Sequence, residues 1–238
     1  MPTVATDQRS IVLDGHTVTY QLRRSTRRTI GLAIDHRGLR VGAPSRARLG
    51  DIESLIRQHR QWVLDKLASW RDRPPVAPLT LTDGCELDIL GRTRRISLIA
   101  APRSRWQITD DTLCLYQGPA VDPAQLLEKA LREHARDIFL QRLAMHAPLL
   151  GVACPPLRLS SARTRWGSCS ARGGIALNWR LIFMPLPVVD YVVCHELAHL
   201  KEMNHSPRFW SVVEQLCPDW RTLRLELRHR GQQLPRFA

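Results

Sequence analysis

His195, Glu196 and His199 stand in a chain that holds only nine histidines in 238 residues, and His205 follows six positions after His199. On a helix, residues four apart lie about 40° from one another around the axis, so His195 and His199 present their rings to one side and can grip one ion. Neutral imidazole suits zinc at roughly 2.0–2.1 Å, and a catalytic zinc takes three protein ligands while keeping a fourth position open for water. Glu196 then belongs beside that water rather than on the metal. This H-E-x-x-H spacing is hydrolytic chemistry: the ion makes water nucleophilic near neutral pH, and the carboxylate takes its proton.

A third ligand at His205 requires the helix to end first. The stretch Lys201-Glu-Met-Asn-His-Ser-Pro207 offers the means. Asn204 tolerates a left-handed C-terminal conformation, Ser206 can cap a new helix, and Pro207 fits its first position. His205 then sits in the corner between two helices. The histidine spacing matches the metzincin pattern, but Glu202 occupies the position of that pattern's glycine. Glu202 reads as a solvated helix-end carboxylate, with metal ligation as its alternative, and Cys194 reads as core.

The elements that must position these residues are α/β in kind. "HTVTYQL" (16–22), "TIGLAI" (29–34) and "LRVGAP" (39–44) alternate like strands, with turn signals at Asp14-Gly15 and at 36–38. Residues 47–73 carry Ile52, Leu55, Ile56, Trp62, Val63, Leu67 and Trp70 at helical spacing, which predicts one amphipathic helix. "RPPVAP" (73–78) stops it as a stiff connector. Two hairpins follow, turning at Gly91-Arg92 and Asp110-Asp111. Asp122 caps a long helix with Pro123 at its first position and Gly151 as its stop, and His134 lies on its apolar stripe. Strand, Gly-rich turn and strand (157–181) lead into the histidine helix. The expected division is 1–73, strands plus amphipathic helix; 79–118, hairpins; and 119–238, the catalytic part. No repeat or low-complexity segment is visible in the sequence.

The six cysteines are scattered singly, without a C-x-x-C pair, and read as reduced, mostly buried thiols rather than a disulfide framework. The first residues lack the basic start and apolar run of a leader, and no stretch approaches the ~18 apolar residues of a membrane helix. The expectation is a soluble, cytoplasmic protein without a membrane partner. Its formal charge is +13, with only three lysines among 35 basic residues. Arginine forks onto phosphate and carboxylate, so this balance favours such partners, although a solvated basic surface would read the same way. Oligomeric state leaves no mark.

"RTRWGSCS" (163–170), "IALNWRL" (175–181) and "VVDYVVCHELAHLKEMNHSPRFW" (188–210) together strongly resemble the YgjP-like metallopeptidase family, related to the SprT-like and WLM zinc proteases. "RRSTRRTIGLAIDHRGLRVGAP" near the start resembles it too. The resemblance implies that His195, His199 and His205 hold zinc and that Glu196 is the catalytic acid/base. It also implies a zincin-like α/β catalytic part in which the active-site helix lies beside a small antiparallel sheet, bordered by the strand around 175–179.

Three functions compete. A peptidase would work through water activated by Glu196, and Ile175–Asn178, taken as an edge strand, would hold an extended substrate by strand addition. A nucleotide or phosphate-anhydride hydrolase would use Arg163, Arg165 and Arg180 as a phosphate clamp, against the plainer reading that they brace their loop. A nucleic-acid-associated protease would place phosphates on Arg23, Arg24, Arg27, Arg28, Arg37, Arg40, Arg46 and Arg48, which face only Asp35 in that stretch. Arg163, Arg165 and Asn178 are the candidate substrate contacts.

Overall fold

A computed structural model describes residues 7–35, 37–71, 80–162 and 164–235. The connector expected at 73–78 lies outside them. The chain divides into two compact units, 1–75 and 76–238.

The first unit is a four-stranded sheet covered on one face by helices. Asp14 and Gly15 both take positive φ, 46° and 80°, which closes a tight hairpin between β1 (Asp7–Leu13) and β2 (His16–Ser25). Two further strands, β3 (Gly31–Asp35) and β4 (Gly38–Pro44), form the second hairpin, and the order is β1-β2-β4-β3 with β2 and β4 parallel at the centre. Val18, Tyr20, Leu22, Leu39 and Val41 alternate onto the face that packs Ile52, Ile56 and Val63. Each such buried aliphatic contributes on the order of 1.5–3 kcal/mol. The single helix expected over 47–73 is in fact two, α1 (Leu49–Gln58) and α2 (Arg60–Arg71), because His59 leaves helical geometry at φ −102°, ψ 20°. The break shifts the phase of the apolar stripe, and Trp62, expected on it, is exposed.

The second unit opens with a sheet of the same strand order. Its hairpins are β5 (Glu86–Ile89) with β6 (Arg92–Ala100) and β7 (Arg105–Ile108) with β8 (Thr112–Gln117), in the order β5-β6-β8-β7, again with the central pair parallel. This duplicated topology has no counterpart in the sequence, because turn and strand signals preserve pattern rather than residue identity. The first turn uses Leu90 and Gly91, one residue earlier than expected. Arg94 is buried and ties the hairpins together, donating to the carbonyls of Ile89 (2.6 Å) and Thr109 (2.8 Å).

Asp122 accepts from the amide of Ala124 at 2.9 Å and starts α3 (Pro123–His146), whose Leu127, Leu131, Phe139 and Leu143 fill the core. Pro148 lacks a donor and ends the helix before Gly151, where a short 3-10 turn stops at φ 67°. Next come β9 (Leu157–Ser160), β10 (Gly167–Cys169) and β11 (Ile175–Asn178), then α4 (Leu186–Ala198), α5 (Pro207–Leu216) and α6 (Trp220–Arg230). The small sheet is mixed rather than antiparallel. Its order is β10-β11-β9, with β11 antiparallel to β10 and parallel to β9. No helix of the described residues is long and apolar enough to cross a membrane.

Candidate metal centre

Three features hold α4, which carries His195 and Glu196. Nine of its residues are buried, among them Val188, Val189, Val193 and Leu197. Asp190 grips Arg142 of α3 through both carboxylate oxygens, at 2.5 and 2.7 Å, and lies 3.3 Å from His146 Nε2 without hydrogen-bond alignment. Burial opposes ionisation of Asp190, but His146 and Arg142 more than offset it and hold its pKa below the usual carboxylate range. Cys194 is fully buried and reaches toward the carbonyl of Leu216.

The helix stops at His199, which is its C-cap in right-handed geometry. No left-handed residue is used at Asn204. The turn is made instead by Leu200, Lys201 and Glu202 folding their amides back on 197 and 198. Ser206 then caps α5, accepting from the amide of Phe209 at 3.4 Å, with Pro207 first in the helix. His205 is thereby turned back. Its Nε2 lies 3.1 Å from Nε2 of His195, and one ligand nitrogen from each of His195, His199 and His205 falls within 4.8 Å of the others. No other group of three or more potential ligands occurs among the described residues. His199 Nδ1 lies 3.2 Å from the carbonyl of Glu202, a contact that steers Nε2 toward the cluster when Nδ1 carries the proton. Glu202 thus contributes its backbone to the site.

The floor is apolar. Phe209, fully buried, lies 4.9, 4.5 and 4.6 Å from the rings of His195, His199 and His205, and Trp210 lies 5.8 Å from those of His195 and His205. Burial therefore pushes His195 down to about 3, with His199, His205 and Arg224 adding to the effect, and it lowers His199 as well. Both imidazoles are therefore held neutral at physiological pH, the form in which a ring nitrogen can bind a metal. Glu196 is 5% exposed, burial raises it to about 7 against the pull of Arg165, and its Oε2 has no hydrogen-bond partner. Convergent imidazole nitrogens beside an orphaned buried carboxyl oxygen fit a divalent metal and its water.

Gly167 brings β10 onto Glu196. A Cβ at that position would collide with Glu196 Oε1 and come within 2.6 Å of its Cδ and Cγ, so only glycine allows this approach. The strand expected at the sheet edge, Ile175–Asn178, is the central one, and β10 holds the edge. Trp166 accepts from the amide of Asn178 and Ser170 donates to the carbonyl of Gly174, so ladder alternation turns the backbone groups of Gly167 and Cys169 outward.

The expected substrate contacts fall differently. Arg163 lies outside the described residues. Arg165 is exposed beside Glu196. Asn178 is buried and fully committed: it donates to the carbonyls of Ala162 (2.8 Å) and Arg165 (3.3 Å) and accepts from the amide of Arg180 (3.1 Å). Arg180 stacks on Trp179, 4.8 Å from the ring centre. Sequence reasoning passed over Phe209, Trp210, the Arg142–Asp190 bridge and the Glu202 carbonyl. Only the apolar character of Phe209 and Trp210 just after His205 hinted at any of them.

A helix end presenting three imidazoles and a buried carboxyl beside a free sheet edge defines a metal-dependent hydrolase. The family model for the YgjP-like, metallopeptidase domain matches residues 28–230, and the chain belongs to that family. It is a metallopeptidase, and its substrates are polypeptides. The crystal structure of the metallopeptidase zymogen of Pyrococcus abyssi abylysin is similar to it at a TM-score of 0.33 and 25% identity, covering 46% of this chain and 98% of that one. No curated protein matches the chain.

Proposed function

We propose that the metal is zinc, held by His195, His199 and His205, and that Glu196 is the catalytic acid/base. The convergence of three imidazole nitrogens within 4.8 Å, beside the orphaned Glu196 Oε2, carries this reading. A set of three neutral nitrogens suits zinc in a tetrahedral site with one open position. When bound, zinc supplies Lewis acidity toward water and the scissile carbonyl. Glu196 takes the proton of the attacking water at Oε2 and returns it to the leaving amine. Phe209 and Trp210 keep the histidine side of the site dry, which strengthens each charge interaction there.

An extended substrate pairs with the outward backbone groups of Gly167 and Cys169, a strand added to β10. Gly167, lying against the carboxyl, sets the scissile bond next to Glu196. Arg165 offers its guanidinium to the same stretch of substrate, while Asn178 is a positioning residue that fixes the loop carrying Arg165. Six free cysteines, only Cys194 and Cys217 of them buried, support a reducing compartment such as the cytoplasm. The test is metal stoichiometry alongside cleavage of an unfolded polypeptide. One zinc per chain, with cleavage lost on chelation and restored by zinc, is the expected result; cleavage that survives complete metal removal refutes it.

A further inference from the structure

Beyond the peptidase site, we propose that one end of the first unit's sheet is a binding surface for the phosphate backbone of nucleic acid. Because β2 and β4 are parallel, from Tyr20 opposite Leu39 to Ser25 opposite Pro44, the segments that follow them leave at the same end. Both segments are rich in arginine: Arg27 and Arg28 after β2, Arg46 and Arg48 after β4. The two are fastened together. Ser45 donates both its amide (3.0 Å) and its hydroxyl (3.1 Å) to the carbonyl of Ser25, and Arg24 donates to the carbonyls of Pro44 (3.3 Å), Ser45 (3.2 Å) and Ala47 (2.7 Å). Arg24 is therefore spent as a staple. It leaves its neighbours on a preorganised surface.

Arg27 lies over the backbone of Gly31 and Gly42, where a Cβ at either position would collide with its guanidinium. Arg23, opposite Gly42 in register, projects from the same face. Arg23, Arg27, Arg28, Arg46 and Arg48 are exposed, and none of their side chains makes an ion pair or hydrogen bond among the described residues. The one acidic residue between 16 and 50 is Asp35, which sits at the opposite end of β4, opposite Gly38, and is taken by Arg37 and Arg40, each at 3.0 Å. Two arginine pairs that are distant in sequence thus converge while the carboxylate stays away. The topology makes a patch from what reads in sequence as a diffuse basic stretch.

The chemistry of the patch selects its partner. Five permanent cations need a ligand with repeated negative charge, and guanidinium matches the phosphodiester fork. Exposed Thr26 and Thr29 add hydroxyls of the kind that position phosphates. An anionic membrane would be met with an apolar wedge beside the charges, and no large hydrophobic residue between 23 and 48 is exposed.

The test is fluorescence anisotropy of a labelled 20-base-pair duplex with the full-length protein between 50 and 200 mM salt. Neutralising four phosphate contacts in Arg27→Gln/Arg28→Gln/Arg46→Gln/Arg48→Gln is expected to flatten the log–log salt slope by about 3.6 and weaken binding by roughly 100-fold or more. The charge-matched variant Arg103→Gln/Arg136→Gln/Arg158→Gln/Arg172→Gln, all exposed in the second unit, is expected to lose less than about fivefold. Should the quadruple loop variant fail to fold, Arg46→Gln/Arg48→Gln alone is expected to weaken binding about tenfold and flatten the slope by about 2. Equal losses in the loop and control variants, absence of duplex binding by the unaltered protein, or binding to phosphatidylserine vesicles with the duplex ignored would each overturn the proposal.

Discussion

Replacing Gly167 with alanine probes the joint between β10, the proposed substrate edge, and the carboxyl of Glu196. The new methyl would sit 2.6 Å from both Cδ and Cγ of Glu196, where carbon atoms rest at about 3.5–4.0 Å. The carboxyl must retreat by about 1 Å or β10 must lift by as much. Glu196 is a buried residue of α4 itself, so the displacement lands on the reacting geometry. A misplacement of that size costs about 100-fold in rate, and overpacking of this kind costs about 1–3 kcal/mol in stability. His195, His199 and His205 lie off the collision, so zinc content should stay at the wild-type level. Three measurements on one preparation decide the matter: kcat/KM on an unfolded polypeptide, zinc by mass spectrometry of the metal, and thermal melting. A Gly167→Ala protein that cleaves at the wild-type rate would overturn this expectation, and so would one that loses its zinc.

Other outcomes follow from the same geometry. His195→Ala and His199→Ala should each abolish retention of zinc through gel filtration, whereas the exposed His205→Ala should weaken it by roughly 10- to 100-fold, both read from metal content after dialysis. Asp190→Ala leaves the partly buried Arg142 without its partner and should cost about 2 kcal/mol of unfolding free energy, measured with denaturant, with the chemistry of the site otherwise intact. The pKa of Asp190 is depressed, so its contribution is fully present above the ordinary carboxylate range and disappears as pH falls through the folded value; acid melting curves of wild type and Asp190→Asn should converge only below about pH 4. Asn178→Ala frees the carbonyls of Ala162 and Arg165, and it should raise KM for polypeptides severalfold with zinc content unchanged.

The histidine helix was legible because its chemistry is local: His195, Glu196 and His199 lie within five residues, and Ser206-Pro207 announces the next helix start. Asp122-Pro123 was legible for the same reason. Contacts made across the fold left no such trace. Arg142 and Asp190 stand 48 residues apart, and nothing in either neighbourhood names the other. The role of Gly167 depends on how closely a strand approaches a helix, which a glycine in a serine-rich turn does not advertise. The sheet edge was misassigned because β11 is a run of apolar residues whose two partners, one parallel and one antiparallel, come from segments read as turn and strand. Asn204 suits a left-handed turn by type, but Glu202 answers both His199 and the amide of Asn204, and the chain stays in ordinary geometry. The arginine patch required the parallel pairing of β2 and β4, since loop sequences alone do not say which end of a sheet they share.

The central claim is that Glu196 moves a proton during peptide-bond hydrolysis at a zinc held by three histidines. Its most direct measurement is mass spectrometry of products from zinc-loaded wild type and Glu196→Gln, each incubated with an unfolded polypeptide and nucleoside triphosphates together. New peptides are expected from the wild type, none from a Glu196→Gln protein that still carries one zinc, and intact nucleotides in both. Equal peptide formation by the two proteins, or cleavage of the nucleotides alone, would contradict it.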